Sequence, residues 1–218
     1  MAESTLTSTH SSKVSEESLN QMTHGIGLGL SILGAVHLLA QTDVDAVVRV
    51  GCWIYAVALV ALFAASTLSH SFESDPHRTR YRTLDQICIF TVMAATYTPI
   101  SLYVCPDGLW NLPLVMIWLM AVTGIILKLY VTGSEMVPVW FYVVLGLIPM
   151  LASPRLLQFL GPEGMFWVVA GGLCYVVGVL FLTNDHRSRF FHPIWHILVM
   201  LGSTCHYIVI SEYAAGTG

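Results

Sequence analysis

Charge is what this chain has least of. Of its 218 residues only 9 are Lys or Arg and 13 are Asp or Glu, 10% in all, where a soluble globular domain carries about 25%. With 56% hydrophobic residues and a mean hydropathy of +0.72, that shortage argues against a water-soluble fold and predicts an all-α integral membrane protein. The net charge of -4 comes without a lysine cluster or aromatic-basic interleaving, so nucleic acid is not an expected partner. A positively charged start with a small-residue cleavage site is also missing. The first apolar run follows a polar stretch carrying Glu3, His10, Lys13, Glu16 and Glu17, which is not read as a signal peptide. The cysteines Cys52, Cys88, Cys105, Cys174 and Cys205 include no CxxC pair and are read as packing residues. Apolar and polar residues do not alternate, which argues against a transmembrane β-barrel. No convincing repeat supports a transporter built of inverted halves.

What the chain does have is long apolar runs, and crossing the hydrocarbon core takes about 20 such residues. Seven runs are expected: roughly Met22 to Ala40, Val47 to His70, Leu84 to Val104, Leu112 to Tyr130, Val137 to Ala152, Gly164 to Thr183, and Pro193 to near Glu212. Pro99 is an expected kink in the third, and Pro193 suits the first turn of the seventh. Polar segments separate the runs, among them Gln41 to Asp45, Ser71 to Thr83 with Glu73 and Asp75, the turn Pro106-Asp107-Gly108, Gly133-Ser134-Glu135, and Asn184 to Phe191. The expected organisation is a polar tail and pre-helix over 1–21, a seven-helix transmembrane domain over 22–213 and a short tail over 214–218. Basic residues orient such a bundle. Lys13, Arg78, Arg80, Arg82, Lys128, Arg187 and Arg189 fall on one side and only Arg49 and Arg155 on the other. The N-terminus is therefore expected in the cytoplasm and the C-terminus outside, in a multi-pass protein of the cell membrane.

The chemistry collects where these runs begin and end. His192 and His196 stand at i and i+4, one turn apart on one helix face, a spacing that lets two imidazoles reach one metal ion. His70 ends the second run and Asp85 begins the third, so all four fall at the cytoplasmic end. Three imidazoles with one open position are the ligand set of a catalytic zinc. Asp85 would be an acceptor or base for water at that position, and Ser66, one turn before His70, could bond a ligand or polarise a carbonyl. The other reading is that such groups only solvate helix ends at the headgroups. Glu17, Asn20 and His24, with Thr23 beside the last, form a stripe at i, i+3 and i+7. It either faces the same mouth, with Glu17 orienting a ligand or gating access, or is simply a polar first turn. His77 and His186 are read as solvated. His206 lies about 21 Å along the helix from His192, too far for the same ion, and is read with His37 as bonding within the bundle.

These motifs, Glu17-x-x-Asn20-x-x-Thr23-His24, Ser66-x-x-x-His70, Tyr81-x-x-x-Asp85 and His192-x-x-x-His196 followed by His206, resemble those of the haemolysin III family. That family lies within the progestin and adipoQ receptor group, with the adiponectin receptors, and is distantly similar to the alkaline ceramidases. The resemblance spans essentially the whole chain. It implies a seven-helix bundle with zinc near the cytoplasmic face, His70, His192 and His196 as ligands, and Asp85 and Ser66 near the bound water. A zinc-dependent hydrolase of lipid amides or esters is the leading expectation, with membrane lipids as substrate. The alternatives are a haemolysin-like pore, which would need polar residues along several spans whose outer halves read as largely apolar, and a membrane sensor with a structural zinc, against which three ligands argue.

Overall fold

A computed structural model describes residues 2–41, 44–72, 76–105, 108–132 and 137–216, with side chains from residue 17 onward. The turn at Pro106-Asp107, the Gly133-Ser134-Glu135 segment, Glu73, Asp75, Gly218 and the side chains of His10 and Lys13 lie outside the described residues. Among those described there are helices and no strands. The helices are α1 (Ala2–Ala40), α2 (Ala46–Ser69), α3 (His77–Val104), α4 (Leu112–Leu127), α5 (Val139–Leu147), α6 (Ser153–Leu182) and α7 (Phe191–Val209).

Local sequence explains most boundaries. Asp45 caps α2, its carboxylate accepting from the Val47 amide at 2.8 Å, which satisfies one of the otherwise orphaned N–H groups of the first turn. Pro113 stands at the start of α4 and Pro193 in the first turn of α7, where a missing N–H has no consequence. The expected polar tail and first span form one continuous helix, α1. Pro99 does not interrupt α3, which remains a single helix.

Six stretches are long and apolar enough to cross a membrane: Glu17–Ala40, Ala46–Ser69, His77–Val104, Gly108–Thr132, Val139–Leu182 and Phe191–Ala214. The protein is thus a multi-pass integral membrane protein. The expected fifth and sixth runs fall within a single 44-residue stretch because the chain between them stays helical. That stretch is broken internally. A 3-10 turn at Ile148–Ala152 holds Pro149, and Gly161 adopts φ 64° and ψ -178° just before Pro162, a backbone conformation open to glycine alone. Phe141 and Tyr142 pack on Phe90 of α3, and Phe159 packs edge-on to Tyr103, nearer the end of α3. The chain then returns along α7, with Gly164 beside Tyr213 and Gly178 against Trp195.

The core centres on α3. In its most apolar window 61% of residues are buried, against 22% for α1 and for α4. Phe90, Ala94, Ala95 and Val104 are inaccessible, whereas Leu33, Val57, Leu119, Phe166 and Leu180 point outward, as lipid-facing residues do. Helices that cannot gain by hiding apolar surface from lipid pack through small residues instead. At the α6–α7 crossing a Cβ on Gly171 would stand 3.1 Å from the Gly202 carbonyl oxygen, and one on Gly202 the same distance from that of Gly171.

Candidate metal centre

Parts of three helices meet at one end of the bundle. His70 is the residue at which α2 stops, His192 and His196 occupy the first turns of α7, and the Glu17–His24 portion of α1 lies across both. His70, His192 and His196 form the one group of metal-ligating side chains found among the described residues, each offering an atom within 4.8 Å of the others. Their ring centroids are 5.3, 5.1 and 4.6 Å apart for the pairs 70–192, 70–196 and 192–196. His196 is buried and His192 stands nearer the mouth.

Each imidazole has its Nδ1 edge against a different neighbour. His70 Nδ1 is 2.7 Å from Glu17 Oε2, and the other oxygen of that carboxylate accepts from Arg78, with Arg82 at 3.9 Å. His196 Nδ1 is 3.0 Å from the Thr23 hydroxyl. His192 Nδ1 is 3.4 Å from Asp185 Oδ2, in the short turn before α7. With Nδ1 engaged, Nε2 is the nitrogen each ring has left for an ion. Such partners characterise metal-binding histidines, so the donor set fits a zinc-like cation.

Asp85 accepts from the Ser66 hydroxyl at 3.2 Å and lies near His70 and Arg82. Ser66 is 1% exposed, so its hydroxyl is committed to that carboxylate. Asn20 and His24 are buried, and the Glu17–Asn20–His24 stripe faces the bundle. The His24 ring lies 3.6 Å from that of His196, tilted by 35°, and edge-on to Phe63 at 5.4 Å. Neither His24 nitrogen has a hydrogen-bond partner among the described residues. A buried polar atom without a partner costs about 1–3 kcal/mol.

His206 and His37 stand apart from this group. His206 Nε2 donates to the Val168 carbonyl at 3.2 Å, and His37 Nδ1 is 2.7 Å from the Tyr207 hydroxyl. His77 and His186 are exposed. The roles of three contributors escape a reading of the sequence. Thr23 stands in the motif with Glu17, Asn20 and His24, but nothing in the sequence points it at His196. Arg78 reads as one of the basic residues that orient the bundle, and not as a partner of Glu17. Asp185 is one charge in a polar loop, and only the fold turns it toward His192.

A helical membrane bundle with histidines from two helices gathered at one end defines a polytopic protein with a possible metal site. The comparisons with known proteins narrow that class. Residues 12–207 match the family described as Haemolysin-III related, and the chain belongs to the haemolysin III family. It is 33% identical over 208 residues to Hemolysin-3 of Bacillus cereus, covering 94% of each chain. The Hemolysin-3 homolog of Bacillus subtilis is 31% identical over 203 residues, with 92% of this chain and 95% of the relative covered. The human monocyte to macrophage differentiation factor is 31% identical over 204 residues, with 91% of this chain and 84% of the relative covered.

Proposed function

We propose that the chain is a zinc-dependent hydrolase of lipid amides or esters, working at the cytoplasmic face of the cell membrane. The observation that carries this reading is the convergence of His70, His192 and His196 beside the Ser66–Asp85 pair. Three imidazoles leave a fourth position open. A zinc ion held there supplies a Lewis acid and lowers the pKa of water at that position. Asp85 would accept a proton from water in the site and return it to the amine or alkoxide that leaves as the C–N or C–O bond breaks. Ser66 holds the Asp85 carboxylate in place, and His24 offers the unfilled polar edge against which a substrate carbonyl or headgroup can settle. Access at headgroup depth suits a substrate whose acyl chains stay in the bilayer.

The depth assignment rests on seven crossings, with the N-terminus inside. Its support is the course of residues 139–182, along α3 from Phe90 to Tyr103 and back along α7 from Tyr213 to Trp195, together with the one-sided distribution of Arg78, Arg80, Arg82, Arg187 and Arg189. A reporter fused after Gly218 is expected to read as extracytoplasmic. A cytoplasmic signal would overturn the seven-crossing count.

A pore is the second reading. It is favoured by polar side chains in the half of the bundle away from the histidine cluster, where Tyr175 bonds Ser203 at 3.0 Å and the buried Tyr55 hydroxyl has no partner among the described residues. One purified sample separates the two readings. Fatty-acid release from a panel of lipid amides and esters is expected from zinc-loaded protein, and ion flux through liposomes is not. Full zinc with no turnover on any member of the panel would end the enzyme reading.

A further inference from the structure

A neutral imidazole carries one hydrogen, and whichever nitrogen holds it cannot bind a metal. Which nitrogen that is can be worked out for the candidate ligands from the partners around them. At His196 the deciding residue is Thr23. A hydroxyl has a single hydrogen, and Thr23 gives its hydrogen to the Asn20 carbonyl at 2.9 Å. Both Thr23 contacts form together only when the hydroxyl accepts from His196 Nδ1, 3.0 Å away. In that arrangement Nδ1 holds the hydrogen and Nε2 the free lone pair.

At His70 the deciding residue is Glu17. Its Oε1 accepts from Arg78, and an arginine only donates, which holds the carboxylate in its charged, acceptor-only form. Oε2 then accepts from His70 Nδ1 at 2.7 Å, with the same result for that ring. At His192 the Asp185 carboxylate, 44% exposed and 3.4 Å away, gives the same polarity with a looser grip.

We propose that Glu17 and Thr23 are the positioning residues of the metal centre, fixing His70 and His196 as Nδ1–H tautomers so that both Nε2 lone pairs face the site before an ion arrives. The Glu17–Thr23 portion of α1 is then a working part of the centre. This rests on the metal-site reading above and assigns it a source of preorganisation. Thr23 acts through His196 and Glu17 through His70, and neither touches the ion. Partners of this kind are worth about 10–100-fold in metal affinity.

The test uses full-length protein in detergent, with histidine ring nitrogens labelled with 15N. Spectra of metal-free protein report the tautomers, and chelator competition reports the zinc affinity. His70 and His196 are expected in the Nδ1–H form without metal. Thr23→Val, which keeps the shape and loses the hydroxyl, is expected to weaken zinc binding about tenfold and to release His196 from its single tautomer, and Thr23→Ser to restore both. Glu17→Ala is expected to weaken zinc binding at least as much as Thr23→Val, and Glu17→Gln, which keeps one acceptor, to do so less. Wild-type affinity and unchanged tautomers in Thr23→Val and Glu17→Ala would overturn the proposal and leave the metal reading intact. Wild-type protein that binds no zinc would instead end the metal reading. Should Thr23→Val fail to fold, the metal-free wild-type spectrum decides, since His196 with its hydrogen on Nε2 overturns the proposal by itself.

Discussion

The two ends of the bundle use the same residue types to different effect. At one end His70, His192 and His196 turn toward each other, each with a side-chain partner at Nδ1. At the other, His206 and His37 each bond a single neighbour, the Val168 carbonyl and the Tyr207 hydroxyl, and belong to no cluster of ligating groups. Convergence, more than the number of histidines, separates a candidate metal site from a structural hydrogen bond. The cause is helix geometry. His196 and His206 share α7, but ten residues of helix put about 15 Å between them, and only His196 meets the Glu17–His24 portion of α1 and the end of α2.

The largest expected effect breaks this comparison if it fails. His192→Ala and His196→Ala should each remove most of the zinc from purified protein, since two imidazoles do not hold the ion as three do. His206→Ala and His77→Ala should leave metal content near one per chain. Elemental analysis of the four variants decides, and equal zinc in all of them would end the distinction between the two ends.

A smaller chemical change separates holding the ion from using it. Asp85 bonds Ser66 at 3.2 Å, and three histidines need no carboxylate to complete their set. Asp85→Asn keeps the shape and one acceptor but cannot take up a proton. It should retain most of the zinc and lower lipid hydrolysis by about 10²–10⁴-fold. Loss of zinc in this variant would make Asp85 a ligand. Unchanged hydrolysis would remove it from the reaction.

What the sequence made legible is what depends on local spacing. The His192–His196 pair and the Glu17–Asn20–His24 stripe each share a face, as one helical period predicts, and it is the fold that turns the stripe toward the bundle. The 139–182 stretch was harder to read. Pro149, Pro154 and Gly161-Pro162 interrupt it without a polar loop, so two expected spans and the segment between them join as one helical run. Hydrogen bonds that cross the fold could not be read either, because Thr23 lies 173 residues from His196 and Glu17 lies 61 from Arg78. The half of the bundle holding His206 looked largely apolar in sequence. Its polar residues are thinly spread over four helices, and only packing brings the Tyr55 hydroxyl of α2 near those of Tyr175 and Tyr207.

The smallest expected effect sharpens the comparison most, because the end holding His37 repeats the hydroxyl arrangement of the end holding His196. The Tyr207 hydroxyl lies 3.1 Å from the Gly34 carbonyl and 2.7 Å from His37 Nδ1, so both contacts form together when it donates to the first and accepts from the second, as at Thr23. His37 belongs to no group of ligating side chains among the described residues, and the arrangement there joins α1 to α7. Tyr207→Phe keeps the ring that packs against Gly34 and removes both hydrogen bonds. Interhelical hydrogen bonds in membranes average about 0.6 kcal/mol, so the expected cost is about 1 kcal/mol of stability. Zinc affinity should stay at the wild-type value. Thr23→Val removes a hydroxyl in the same bonding role and should cost a similar amount of stability, about 1 kcal/mol, while also lowering zinc affinity. Measuring unfolding in detergent and zinc affinity on both variants decides the matter. A loss of zinc affinity in Tyr207→Phe as large as that in Thr23→Val would mean that the metal site responds to the α1–α7 contact as a whole rather than to the tautomer set by Thr23.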